Sequence, residues 1–160
     1  MKVTFDTNVA DKLEMVRTAQ ARGFEIFLTS VTNRELLPSD IVAVTQQVIL
    51  ETVVLDESSL GSAVLGSDDD KRVLEGALAI LSNGSFPKPG ARGQLTDGQR
   101  RQLRDAMIFT AHVKASHEIL VTDDERGFIR HGRRERLQEL SPGQIMTSFE
   151  FLREFGTERV

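Results

Sequence analysis

The sequence predicts an α/β protein, an α/β/α sandwich around a largely parallel central sheet. Two observations carry this. Short apolar segments of strand type alternate along the chain with segments whose apolar residues recur at helical spacing. The 160 residues, 39% of them apolar, are also the size of one domain and enough for a single packed core, so residues 1–160 are expected to form one domain.

Lys2 to Asp6 alternates Val3 and Phe5 with polar neighbours and stops at Asp-Thr-Asn, the pattern of a short first strand ending in a turn. Val9, Leu13 and Val16 then predict a helix of about fourteen residues ending at Gly23, ahead of a second strand at Glu25 to Leu28. Thr32 followed by Glu35 has the form of a capping box, and Pro38 would close that short helix. Val48 to Leu55 reads as another strand. Asp68 opens a helix with a stripe of Val73, Leu74, Ala77, Leu78 and Leu81, ending at Asn83-Gly84. A Pro/Gly-rich basic loop at about 84–96 reads as an exposed arm. Thr96 and Asp97 cap a long helix through Leu103, Ala106, Met107 and Val113 to about Ser116. Strands at Ile119 to Val121 and Gln144 to Met146 follow, separated by an Arg-rich segment, and a helix with Phe149, Phe151, Leu152 and Phe155 closes the chain.

The absence of Cys removes disulfides, thiolate nucleophiles and Cys-ligated zinc, and the three His show no paired ligand spacing, so a metal here must sit on oxygen ligands. No apolar run has the length of a membrane span. Asp6 and Asp11 stand where a secretory signal would be apolar, so a cytoplasmic protein without a membrane association is expected. The net charge of -4 argues against bulk coating of nucleic acid. Its distribution is uneven: Glu35 to Asp70 holds eight acids and no Lys or Arg. Lys88, Arg92, Arg100, Arg101 and Arg104 form one basic stretch opposed by Asp97, and Arg126, Arg130, Arg133, Arg134 and Arg136 form a second opposed by Glu135.

In open parallel sheets ligands bind beyond the carboxyl ends of the strands. Asp6 ends the first strand and Asp124 lies just past Ile119 to Val121, so both point into one crevice if those strands are neighbours. Glu35 and Asp105, on a helix start and a helix face, would roof it. Converging carboxylates repel unless neutralised, and a hard divalent cation, Mg²⁺ or Mn²⁺, is the economical neutraliser. Such a site can activate water and stabilise charge on a phosphoryl oxygen. Each acid also has a structural reading: Asp6 as a helix cap, Glu35 in the capping box, Asp105 paired with Arg101, and Asp123 or Asp124 as a turn cap.

FDTN at 5–8, SVTNREL with Glu35, RDAMIFTAHV with Asp105, LVTDDERGF at 120–128 and the closing IMTSFEFL together resemble the PIN-domain ribonucleases in order and spacing, over nearly the whole chain. The resemblance implies metal-dependent endonucleolytic hydrolysis of RNA, with Asp6, Glu35, Asp105 and Asp124 as metal ligands and catalytic acids. It further implies that Asn8 and Thr122 orient carboxylates or water, with Asp123 in an outer shell or as an alternative ligand. It suggests a homodimer and, in toxin-type members, a cognate antitoxin. The 84–100 stretch is longer than the connection usual in compact toxins, so an RNA-processing role stays open beside the toxin role.

Lys88, Arg92, Arg100, Arg101 and Arg104 lead into the helix bearing Asp105 and are the first choice for gripping RNA; Arg126 and Arg130 are the second. There is no Trp or Tyr, and most of the nine Phe sit in apolar patterns, so base stacking on aromatic residues has no support in the sequence. His112 shares a helical face with Asp105 and reads as a packed or surface residue. A haloacid-dehalogenase-type phosphatase would need an acid where Asn8 stands, a receiver domain would need a late strand ending in Lys, and neither GxGxxG nor GKS/GKT is present. The alternative from another class is a catalytically silent PIN fold that binds RNA or protein.

Overall fold

Five parallel strands form the sheet in a computed structural model that describes residues 1–29, 48–50 and 67–156. They are β1 (Lys2–Phe5), β2 (Glu25–Thr29), β3 (Val48–Leu50), β4 (Ile119–Val121) and β5 (Gln144–Met146), in spatial order β3-β2-β1-β4-β5. Every neighbouring pair is parallel, with Phe5 opposite Leu28 on one side and Val121 on the other. The chain builds outward from β1 in one direction through β2 and β3, then returns to start β4 on the other side. That reversal makes the gap beyond the carboxyl ends of β1 and β4 the topological switch point.

Side-chain alternation sends the apolar residues of β4 and β5 to two separate cores, one on each face of the sheet, and helices cover both. Val3, Phe5, Ile26, Leu28, Ile119, Val121 and Met146 meet α1 (Thr7–Ala10), α2 (Leu13–Ala21) and the last helix. Leu120 and Ile145 meet α3 (Asp68–Leu81) and α4 (Asp97–Lys114) on the opposite face. In the first core Phe5 and Phe24 pack on Phe151 of α6 (Ser148–Phe155), with Phe5 edge-on at a centroid distance of 6.1 Å. Each fully buried Phe contributes about 1.5–3 kcal/mol relative to exposure.

Capping chemistry fixes the long helices. Ser67 with Asp70, Thr96 with Gln99 and Thr147 with Glu150 form complete capping boxes at the starts of α3, α4 and α6. Asp70 also binds Lys114 at 3.2 Å, which ties the start of α3 to the end of α4. Burial opposes its ionisation, but the Ser67 amide and Lys114 outweigh that and hold its carboxyl below the ordinary value.

The structure revises one expectation and adds detail to two others. The predicted fourteen-residue helix is broken at Asp11-Lys12, where Lys12 takes an extended backbone and its side chain leaves for the carboxylate of Asp123. The arm at 84–96 is largely exposed, as expected, and anchored at three points: Phe86 and Leu95 pack on the core of α3 and α4, and Arg92 binds the Pro87 carbonyl and both oxygens of Glu75. The Arg-rich segment after β4 folds into a wide π-type turn, Glu125–Ile129, and a short helix α5 (Arg133–Gln138), with Phe128 and Leu137 buried. The helix expected from Thr32 and the strand residues beyond Leu50 lie outside the described residues. No helix among the described residues is long and apolar enough to cross a membrane.

Candidate active site

Asp6 is the residue at which β1 ends and α1 begins. Its amide continues the ladder by donating to the Val121 carbonyl at 3.0 Å, and its Oδ1 accepts the Thr7 amide at 2.7 Å as the cap of α1. The residue is 4% exposed. Its second oxygen, Oδ2, accepts the Thr122 hydroxyl at 2.6 Å. That hydroxyl in turn accepts the Asp124 amide at 3.1 Å, so one threonine joins the acid ending β1 to the acid following β4.

Asp124 caps the π-type turn through Oδ1, which accepts the Gly127 amide at 2.9 Å. Its other oxygen lies against the Gly127 α-carbon, where a Cβ would overlap Oδ2 and would stand 3.2 Å from Asp105 Oδ2. The carboxylates of Asp105 and Asp124 therefore converge on one point, and the absent side chain of Gly127 leaves the space between them. Asp105 reaches it from the middle of α4, half-buried, on the helix that covers that face of the sheet.

Asp123 faces the other way. Its oxygens accept the Ser148 amide at 2.7 Å, the Ser148 hydroxyl at 2.6 Å and the Lys12 ammonium, while its own amide donates to Asn8 Oδ1 at 3.0 Å. Burial opposes its ionisation; hydrogen bonds from Lys12 and Ser148 prevail and hold the carboxyl below its ordinary value. Asp123 is thus a clamp between the α1–α2 corner, the end of β4 and the start of α6, with both oxygens engaged. Asn8 supports that clamp through the Asp123 amide.

The structure links Asp6 to Asp124 through Thr122 and sets Asp105 near Asp124 across the Gly127 gap; Glu35 lies outside the described residues. Among the described residues no three His, Asp or Glu side chains are close enough to enclose a metal ion. The donor set is nevertheless of the right chemistry for a hard cation, because Asp105 and Asp124 direct carboxylate oxygens to one gap that a Cβ would fill. Sequence reasoning does not single out Gly127, Lys12 or Ser148. For Gly127 a signal exists, a Gly three residues after an Asp that could cap a turn; Lys12 and Ser148 meet Asp123 only through the tertiary fold.

The basic residues divide. Arg92 is taken by Glu75 and lies 5.0 Å from the Phe86 ring, Arg100 pairs with Asp97 at 3.4 Å, and Arg130 pairs with Glu125 at 2.5 Å. Arg134 binds Glu150 at 2.9 Å. Arg104 directs its Nε to the Arg100 carbonyl at 3.4 Å. Among the described residues no carboxylate pairs with the exposed Lys88, Arg101 or Arg126.

His112 is packed under the sheet. Thr4 Oγ1 sits between His112 Nδ1 at 3.0 Å and His117 Nδ1 at 2.9 Å, all three buried. A hydroxyl has one proton to give, so one ring accepts it and the other donates its own N–H. His112 Nε2 is buried with no hydrogen-bond partner.

No protein-family model matches the chain, and no curated protein matches it.

Proposed function

We propose that the chain is a Mg²⁺- or Mn²⁺-dependent endoribonuclease that hydrolyses RNA phosphodiester bonds at the switch point of its sheet. The observation that carries the reading is the convergence of Asp105 and Asp124 beside Gly127, one threonine away from Asp6. The PIN-type order of the acidic segments supports it. Asp6, Asp105 and Asp124, with Glu35, would hold the cation. When bound, it would lower the pKa of water and neutralise charge on the phosphoryl group.

The chain's own residues supply the rest. Thr122 fixes the carboxylate of Asp6 by donating to Oδ2, and the Thr7 amide fixes Oδ1, so this acid is oriented before any ligand arrives. The Asp123 clamp holds the start of α6 against the end of β4 and keeps the crevice in shape. Lys88, Arg101 and Arg126, uncommitted to ion pairs among the described residues, are the side chains we assign to the RNA backbone; Arg92 is a structural staple. A cytoplasmic homodimer, acting either as a toxin restrained by an antitoxin or as an RNA-processing enzyme, belongs to the same proposal.

A second reading, a silent module that binds RNA or protein, is favoured by one observation: Asp6 and Asp124 each cap local backbone. Cleavage of a structured RNA pool with Mn²⁺, Mg²⁺ or chelator separates the two. The comparison is an Asp105→Asn, Asp124→Asn double variant, in which the side-chain carbonyl introduced at position 124 can still accept the Gly127 amide. Metal-dependent cutting lost in the folded variant supports the nuclease. Equal cutting by both would reject the site, and no cutting by either would favour the silent module.

A further inference from the structure

Thr4 stands on the α4 side of the sheet, because Val3 and Phe5 on either side of it face the other core. Its hydroxyl meets His112 Nδ1 at 3.0 Å and His117 Nδ1 at 2.9 Å, in a network that is buried throughout. These three residues belong to the three segments that carry Asp6, Asp105 and Asp124. Thr4 lies on β1 two residues before Asp6, His112 on α4 seven residues after Asp105, and His117 seven residues before Asp124, at the entry to β4. Seven residues are nearly two helical turns, so His112 and Asp105 project from the same face of α4, about 10 Å apart along its axis.

Stability is a poor reason for an imidazole at this place. His112 Nε2 is buried with no hydrogen-bond partner, which opposes folding. The ring is also confined: a Cβ on Gly143 would stand 3.0 Å from that nitrogen, so the turn before β5 closes over it with backbone alone. A leucine would remove the orphaned atom, and Thr4 would keep its bond to His117. What a leucine cannot supply is direction. Apolar contacts between helix and sheet tolerate small shifts, whereas a hydrogen bond selects one height and one rotation of α4 against β1.

We propose that His112, acting through Thr4, is a positioning residue that sets α4 against β1 and so brings the Asp105 carboxylate to the gap it shares with Asp124. This deepens the ribonuclease reading and rests on its metal site. Fixing register is the best-attested use of a buried polar group that costs stability. The gap is narrow enough to feel a small shift of α4, because a Cβ at Gly127 would already stand 3.2 Å from Asp105 Oδ2.

Two readouts separate the positioning role from its premise. The chain has no Cys, so an Arg101→Cys, Arg126→Cys variant takes two spin labels, one a helical turn before Asp105 and the other beside Gly127 in the π-type turn. Their separation, measured by pulsed electron resonance in chelator, reports the placement of α4 without metal or RNA. His112→Leu should shift that separation by about 1–2 Å. In the unlabelled chain it should weaken Mn²⁺ binding, followed by calorimetry, about 10- to 100-fold, with the urea midpoint close to wild type. Thr4→Val, which removes the shared hydroxyl, should repeat the shift and the weakening. His112→Asn, whose amide stands where Nδ1 does, should restore both. Val16→Ala, in the opposite core, should lose stability and change neither. Wild-type separation and Mn²⁺ affinity in folded His112→Leu and Thr4→Val overturn the positioning role and leave the metal site standing. A displaced α4 with unchanged Mn²⁺ affinity overturns it too, as does an equal loss of affinity in Val16→Ala. If the wild type binds no Mn²⁺, the metal site itself is rejected and the inference falls with it.

Discussion

The Thr122 hydroxyl donates to Asp6 Oδ2 across 2.6 Å, joining the ends of β1 and β4 through side chains where the backbone ladder stops. The carboxylate that receives it is buried, so the bond has no water to replace it. In Thr122→Val, similar in shape, the hydrogen bond from position 122 to Oδ2 is lost, and hydrogen bonds to charged groups are worth about 1.5–3 kcal/mol. We expect the stability measured by urea unfolding to fall by that amount and Thr122→Ser to recover most of it. A wild-type midpoint for Thr122→Val would show that the bond does not hold the strand ends.

Gly127→Ala tests the gap itself. The new methyl would overlap Asp124 Oδ2 and press on Asp105 Oδ2. The backbone of Gly127 is not in the left-handed region, so space is what the substitution changes. Overpacking of this kind costs about 1–3 kcal/mol. Under the proposed function, metal-dependent cleavage should be lost while circular dichroism stays native; full activity in Gly127→Ala would remove this gap from the site.

Much of this arrangement is legible in the sequence because it follows local rules. The boundaries of β4 and β5 follow from short apolar runs, and the placement of Asp6 and Asp124 follows from which residues end parallel strands. What escapes is long-range. Nothing near Lys12 in the chain announces that it breaks a helix to reach Asp123, 111 residues away, and nothing near Arg92 announces Glu75. Hydrophobicity groups Phe149 with the core aromatics, because it does not tell which face of α6 points outward.

Arg92 and Arg101 should therefore behave oppositely. Arg92 is 13% exposed, held by both oxygens of Glu75 and stacked on Phe86, so Arg92→Ala should lower stability by about 1–3 kcal/mol. Its RNA affinity, measured where the variant is folded, should be unchanged. Arg101→Ala should leave stability within about 0.5 kcal/mol of wild type and reduce the salt dependence of RNA binding by roughly one counterion. The reverse pattern would mean that Arg92, and not Arg101, grips the RNA.

The histidine pair predicts the acid limb of stability. Burial above all, and then the neighbouring His117, push the pKa of His112 down from 6.5 to about 3, with Glu118 acting weakly in the opposite sense. His117 is lowered too, first by burial and then by Lys2. Below pH 6.5 the unfolded chain takes up protons that the folded chain refuses. The sign is therefore loss of stability as pH falls from 6.5, levelling off near 3 for His112, at up to about 1.4 kcal/mol per pH unit for each such histidine. The carboxyls held below their ordinary values, Asp70, Glu118, Asp123 and Glu150, lose their contributions at more acid pH, with the glutamates starting from 4.5. Between pH 6.5 and 4.5 the slope is thus set mainly by the histidines. Urea midpoints across that window should fall with pH in the wild type and fall less steeply, by about one proton, in His112→Leu. An unchanged slope would mean that His112 takes up its proton in the folded chain, and the buried contact with Thr4 would have to open to admit it.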